Sequence, residues 1–180
     1  MIDFKTIPDS IGYYLAGFVD GEGSFNISFR PRPDFNVSWK ISPCFNVSQK
    51  DQVILALVKK HLQCGTMRSR PDGVWYFEVN NLTSLVENVI PFFRKYNFLS
   101  AKKKNDFALF QKAIDLIQQD QHLSKEGVIN ILNIRNKMNG AGKRKFSDEE
   151  ILQILKESSE TTRQIPALVL EAGNDIVRSL

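Results

Sequence analysis

Residues 11–25 constrain this chain more than any other stretch. Ile11, Tyr14, Leu15, Phe18 and Val19 recur at i, i+3, i+4, i+7 and i+8, which predicts a helix over about 10–21 with one apolar face. Gly17 and Gly21 sit four residues apart on a different face. Two interior glycines cost a helix roughly 1 kcal/mol each relative to alanine. The simplest compensation is a second helix backbone packed very close. The helix ends in Asp20-Gly21-Glu22-Gly23, which puts carboxylates at a tight turn. Alone, that turn also fits an ordinary helix end. Together, the two features predict an interface helix with a metal-binding carboxylate at its foot.

At 180 residues, with 13 phenylalanines and 42% apolar residues, the chain can bury a core as one compact domain, with or without a C-terminal extension. The net charge of +4 is modest, but its distribution is uneven. Residues 1–22 carry Lys5 against Asp3, Asp9, Asp20 and Glu22. Residues 23–70 carry Arg30, Arg32, Lys40, Lys50, Lys59, Lys60, Arg68 and Arg70 against only Asp34 and Asp51, which points to a polyanionic partner. Cys44 and Cys64, with no Cys-x-x-Cys spacing, argue against a structural zinc site and for a reducing, intracellular setting. No apolar run is long enough for a membrane span. Residues 1–9 resemble no targeting signal. The expected location is the cytoplasm or nucleoid of a prokaryote, or an organelle matrix for an organelle-encoded protein.

Alternation takes over after the helix. Phe25, Ile27 and Phe29 against Ser24, Asn26, Ser28, Arg30 and Arg32 predict a half-buried strand over 24–32. Val37, Trp39, Ile41, Phe45 and Val47 predict a second over 37–48, where Pro43 requires a bulge or an edge. Ser48 and Asp51 fit a capping box that opens a helix. Pro71-Asp72-Gly73 turns a hairpin between strands at 66–70 and 74–80. A helix from about 82 should kink or end at Pro91. Further helices are expected from about 101, with Phe107, Phe110, Ile114 and Ile117 inward, over 125–138, and from the capping box Ser147–Glu150 to about 158. A last helix over 162–180 is interrupted by Pro166 and Gly173. The order is α-β-β-α-β-β-α followed by helices, an α/β fold of the α+β type with an antiparallel four-stranded sheet.

One predicted sheet face carries Asn26, Ser28, Arg30, Arg32, Lys40, Ser42, Asn46, Arg68 and Arg70, with Ser24, Lys50 and Tyr76 beside them. These side chains hydrogen-bond base edges and phosphates, and strands can enter a major groove. An ordinary solvent face intersperses acids among the bases, but here acids are nearly absent until Glu78. The face therefore predicts double-stranded DNA as partner. Hard cations such as Mg2+ bind through one or two carboxylates plus phosphate oxygens. One such carboxylate per chain is half of a phosphodiesterase site, which a dimer completes. Gln49 can orient a water at the start of a helix. Lys102, Lys103 and Lys104 oppose the dipole of the helix they begin, which favours an anionic partner.

The run Leu15-Ala16-Gly17-Phe18-Val19-Asp20-Gly21-Glu22-Gly23-Ser24-Phe25 resembles the LAGLIDADG motif of homing endonucleases. Phe45 to Asp51, Leu99 to Phe107 and Lys125 to Gly140 also resemble segments of that family, so the likeness covers about residues 11–140. It suggests an endonuclease core over 1–140 and a helical extension over 141–180. A single motif copy is similar to the homodimeric branch. The resemblance implies two motif helices packed at a two-fold axis through Tyr13, Tyr14, Gly17 and Gly21, and a saddle-shaped sheet on a long pseudo-palindromic DNA site. It further implies cleavage of both strands with Mg2+ (Mn2+ or Ca2+ substituting in binding), leaving 3′ overhangs.

By position, the resemblance makes Glu22 the metal-binding acid, Gly21 a carbonyl donor to the metal and Asp20 a mainly structural acid. Gln49 falls near the scissile phosphate. Lys102 falls in the solvent network, with Lys103 and Lys104 as neighbours that could take its place. Arg68 and Arg70 match base or phosphate contacts. Glu22 stands where Asp is commoner, and Val53 where some relatives carry a basic residue. The implied function is an intron- or intein-encoded, site-specific DNA endonuclease. The alternatives on the same fold are an RNA-splicing maturase, with RNA as partner, and a non-cleaving DNA-binding regulator.

Overall fold

The structure, a computed structural model, describes residues 2–138 and 144–163. The expected boundary at residue 140 and a helix beyond 163 fall outside the described residues. A 3-10 turn, Phe4–Thr6, leads into helix α1, Asp9–Glu22. Strands β1, Gly23–Pro31, and β2, Trp39–Gln49, follow, then helix α2, Gln52–Leu62, and strands β3, Thr66–Ser69, and β4, Trp75–Val79. Helix α3, Leu82–Ser84, runs through a π-helical turn, Leu85–Val89, into α4, Ile90–Lys95. The remainder is α5, Ala101–Gln118, a 3-10 turn at Gln121–Leu123, α6, Lys125–Asn136, and α7, Asp148–Arg163. All neighbouring strands are antiparallel, in the order β1-β2-β4-β3. No described helix is long and apolar enough to cross a membrane.

The sheet is held from one side. Phe25, Phe45, Val47 and Phe77 are wholly buried, and α1, α2, α5 and the π-helical turn cover that odd-numbered face. Phe25 is central, its ring 5.1–5.9 Å from those of Phe45, Phe93, Phe98, Phe107 and Phe110. Burying a Phe side chain contributes about 1.5–3 kcal/mol. A cross-strand polar pair contributes about 0.2–1 kcal/mol. The apolar face therefore carries the sheet, and the other face is free to hold residues that do little for stability.

Several local expectations are refined. The buried stripe of α1 is Gly12, Leu15, Ala16 and Val19, so Tyr14 turns outward. Gly12 sets this rotation: a Cβ there would meet the Tyr96 ring at 2.3 Å. Pro43 causes no bulge; it pairs with Ile27 where β2 has β1 alone as neighbour, since β4 joins only at Phe45. The cap of α2 is Asp51, whose carboxylate accepts from the Val53 N–H at 2.8 Å, while Ser48 remains in β2. The Ser147–Glu150 capping box is reciprocal, at 2.7 and 3.2 Å.

Pro91 neither ends nor breaks its helix. In a regular helix it would donate to the carbonyl of Glu87, and it has no N–H to give. The chain widens into the π-helical turn instead, and the Glu87 carbonyl accepts from the Ile2 N–H at 3.1 Å. The C-terminal segment joins the same core. Ile151 and Leu155 are buried, the Trp39 indole N–H donates to the Ile151 carbonyl at 3.3 Å, and Phe146 lies edge-on to Trp39 at 5.3 Å.

Helix α1 is fastened at both ends. At its start the Tyr96 hydroxyl donates to the Asp9 carboxylate at 3.1 Å, and Lys95 pairs with the same oxygen at 3.1 Å. At its foot the Asp20 carboxylate accepts the N–H groups of Leu99 and Ser100, at 3.0 and 2.9 Å, and the Ser100 hydroxyl. Desolvation works to raise the Asp20 pKa, but the Ser100 and Leu99 donors and the nearby Lys103 charge outweigh it and leave it below the ordinary 3.8. The stabilisation is thus present above that ordinary value and lost as pH falls through the lower folded-state value. Asp20→Asn should destabilise the protein by about 1–2 kcal/mol at neutral pH. The difference from the parent should shrink at acid pH, as read by urea unfolding at several pH values; a constant difference would contradict the clamp.

Candidate active site

The site is built where α1 runs into β1. Asp20 and Glu22 lie at the C-terminal end of α1, whose last turn has no basic residue. Carboxylates there oppose the helix dipole. Asp20 is compensated by its three donors. Glu22 is exposed and accepts no hydrogen bond from the described residues. The carbonyls of the last helical turn, Gly21 among them, are those a helix leaves without intrahelical partners. One free carboxylate beside end carbonyls suits a hard cation. Yet no group of three or more His, Cys, Asp or Glu converges among the described residues. The donor set fits a divalent ion as a half-site that needs oxygens from outside the chain.

The phase of α5 selects one of the three lysines. Phe107, Phe110, Ile114 and Ile117 face the core, and the same stripe extended one turn back reaches Lys103. Ser100 caps α5 by accepting from the Lys103 N–H at 3.2 Å. The Lys103 ammonium donates to the Gly23 carbonyl, directly after Glu22. Its pKa is lowered, first by burial; Asp106, Asp20 and Glu22 act to raise it, and Lys102 to lower it further. Lys102, the expected member of the site, and Lys104 are exposed. The core periodicity, carried one turn toward the N-terminus, is what turns Lys103 rather than Lys102 toward Gly23. Gln49 ends β2, two residues beyond the Gly23↔Val47 pair and so level with the last turn of α1; its side-chain oxygen accepts the Lys50 N–H at 2.8 Å. Val53 is 68% exposed in the first turn of α2 and brings no charge there.

The outer face of α1 carries Tyr13, Tyr14, Gly17 and Gly21, all exposed. A Cβ at either glycine would meet nothing within 4 Å, so nothing within the described chain requires them. Tyr13 lies edge-on to Tyr96 at 5.3 Å and is still 58% exposed.

The register gathers the expected polar residues on the even-numbered face. Ser24 lies opposite Asn46, Asn26 opposite Cys44, Ser28 opposite Ser42, Arg30 opposite Lys40 and Arg68 opposite Tyr76. Like charges directly opposite are destabilising, so the Arg30–Lys40 pair, exposed and beside no acid in the register, marks a surface suited to an anion. Three expected members lie off the strands. Arg32 follows β1 and is held by both oxygens of Asp34, at 2.8 and 2.6 Å. Arg70 follows β3, its guanidinium 5.1 Å from the centre of the Tyr76 ring. Lys50 is exposed just past β2. Glu78 is the acid set among them, 3.6 Å from Arg68 and 3.8 Å from the Cys44 thiol, which burial pushes up to about 11 and so keeps neutral.

Comparison with known proteins places this geometry. Residues 15–114 match the model of the LAGLIDADG endonucleases. The chain is 27% identical over 171 residues to the probable intron-encoded endonuclease 2 of Neurospora crassa, covering 93% of this chain and 35% of that protein. It is 29% identical over 144 residues to DNA endonuclease I-CeuI of Chlamydomonas moewusii, covering 76% and 66%. The archaeal intron-encoded homing endonuclease I-Vdi141I, solved in complex with DNA, superposes with a TM-score of 0.77 at 25% identity over 84% of this chain and 98% of that one. The chain thus spans about a third of the Neurospora relative and about two thirds of I-CeuI. With the family model matched over more than half its length, and the motif helix, the four-stranded sheet and the acid at their junction in place, the chain belongs to the LAGLIDADG endonuclease family.

Proposed function

We propose that the chain is one protomer of a homodimeric, Mg2+-dependent, site-specific endonuclease of the homing type, which cuts both strands of a long pseudo-palindromic DNA site and leaves 3′ overhangs. The observation that carries this reading is the open face of α1. Two glycines with nothing opposite them among the described residues lead straight to a carboxylate that accepts no hydrogen bond from those residues. A second copy packed there would recover the helix cost of the glycines and set a second Glu22 beside the first. The relatives named as intron-encoded or homing endonucleases support the same reading. Its expected setting is a reducing compartment that holds the target DNA.

In this mechanism the Glu22 carboxylate and the Gly21 carbonyl of each protomer would hold the cation, whose chemistry there would be stabilisation of charge at the phosphodiester. Lys103, fixed by Gly23, holds positive charge beside the phosphate and orders its water. Gln49 orients the attacking water from the end of β2. The sheet face positions the duplex through its major groove. No side chain acts as a covalent nucleophile.

Four outcomes are expected. On a plasmid carrying the intron-insertion junction of the host gene, the protein should cut in Mg2+ and not in EDTA. Glu22→Gln should abolish cutting while binding in EDTA survives; loss of both would make Glu22 a folding residue. Lys103→Met should slow cutting about 100-fold or more, and Lys102→Met only slightly. A reversed ranking in single-turnover assays would move the role to Lys102. Gly17→Leu should sediment as a folded monomer, and a normal dimer would show that the contact lies elsewhere.

A further inference from the structure

We propose that the cleft between the free edge of β1 and the segment Arg144-Lys145-Phe146 ahead of α7 is a phosphate-binding site built around Arg135 and Arg144. The cleft measures about 710 Å³. The sheet order leaves one side of β1 without a neighbouring strand, and the outer half of β1 forms one wall of the cleft. Arg144, Lys145 and Phe146 form the other.

Two guanidiniums line its floor, one buried and one half-buried, against a single carboxylate among the described residues. Arg135 is only 8% exposed. Its guanidinium lies 4.7 Å from the centre of the Phe29 ring and donates to Asp148 at 3.1 Å, while its buried Nε–H finds no acceptor among the described residues. Arg144 donates to the Arg135 carbonyl at 2.9 Å and to Asn136, and it shares the same Asp148 oxygen at 4.0 Å. Among the described residues, two guanidiniums thus share one carboxylate. Burial lowers the Arg135 pKa, and the Arg144 charge lowers it further. A guanidinium has five donors and no acceptor, and a buried donor left unmet is costly.

An anion with several acceptor oxygens in one plane of approach is what this floor lacks. Phosphate matches the guanidinium fork better than any neutral group, and a cation is excluded by charge. The cleft is continuous with the polar sheet face, because Asn26, Ser28 and Arg30 line both. A duplex lying on that face would carry its backbone past this edge. The identity of the phosphate as a DNA phosphodiester rests on the endonuclease reading; the site itself does not.

The test follows the Arg135 Nε–H resonance in the labelled full-length protein. Inorganic phosphate is added against a chloride control of equal ionic strength, and separately a short random-sequence duplex in EDTA. A saturable shift with the duplex assigns a phosphodiester. A saturable shift with inorganic phosphate alone assigns a free phosphate. No shift with either, or a drift matched by chloride, overturns the site. If the duplex binds by fluorescence anisotropy and the resonance is still, the site fails while the DNA reading stands. If no duplex binds, the DNA reading fails and the phosphate titration still decides the site. For a phosphodiester, Arg144→Gln combined with Lys145→Gln should lower the log–log salt slope of duplex binding by about 0.9 per protomer, equally for all sequences. An unchanged slope removes the phosphodiester.

Discussion

The carboxylate of Asp20 sets the geometry of everything at the foot of α1. It gathers two backbone N–H groups and the hydroxyl of Ser100 from the turn before α5. Ser100 is at once the cap of α5, so the same residue fixes where that helix starts and how it is rotated. That rotation brings Lys103 to the Gly23 carbonyl. Hydrogen bonds to a charged group contribute about 1.5–3 kcal/mol, whereas an acid at a helix C-terminus costs roughly 0.3–1 kcal/mol. The clamp therefore outweighs the dipole at Asp20. At Glu22 no hydrogen bond from the described residues offsets the same cost.

Three unfavourable local choices lie outside the apolar core. Glu22 opposes the dipole of α1, three lysines oppose that of α5, and Arg30 faces Lys40 across β1 and β2. Each is a few tenths of a kcal/mol to about 1 kcal/mol in the wrong direction. The core of clustered phenylalanines between the helices and the odd-numbered sheet face covers such losses many times over. Departures from local consistency of this kind are expected where residues serve a partner more than the fold.

Much of this was legible in the sequence because period and burial coincide in it. Alternation at 24–32 and 37–48 gave strands within two residues of β1 and β2, and Pro71-Asp72-Gly73 lies between β3 and β4 as expected. What escaped were effects of tertiary packing. The inward face of α1 was displaced because a residue with no side chain, Gly12, seats the Tyr96 ring. Pro91 was absorbed by a π-helical turn because Ile2, distant in sequence, supplies an N–H to the carbonyl it leaves bare. Arg32 reads as a strand residue until Asp34, two positions on, captures it. At the foot of α1 the motif names Glu22, Gly21 and Gln49 as candidates, and which of three adjacent lysines reaches the Gly23 carbonyl follows only from the rotation of α5.

Trp39 opens β2, and its cover arrives 112 residues later, as the Ile151 carbonyl and the ring of Phe146. During synthesis the β1–β2 hairpin can pair as soon as it leaves the ribosome, yet the indole stays wet until the start of α7 emerges. The order of manufacture thus delays completion of the core to nearly the end of the described chain. The nascent protein spends that interval with one of its two tryptophans covered by Phe29 alone on a paired but unsealed hairpin.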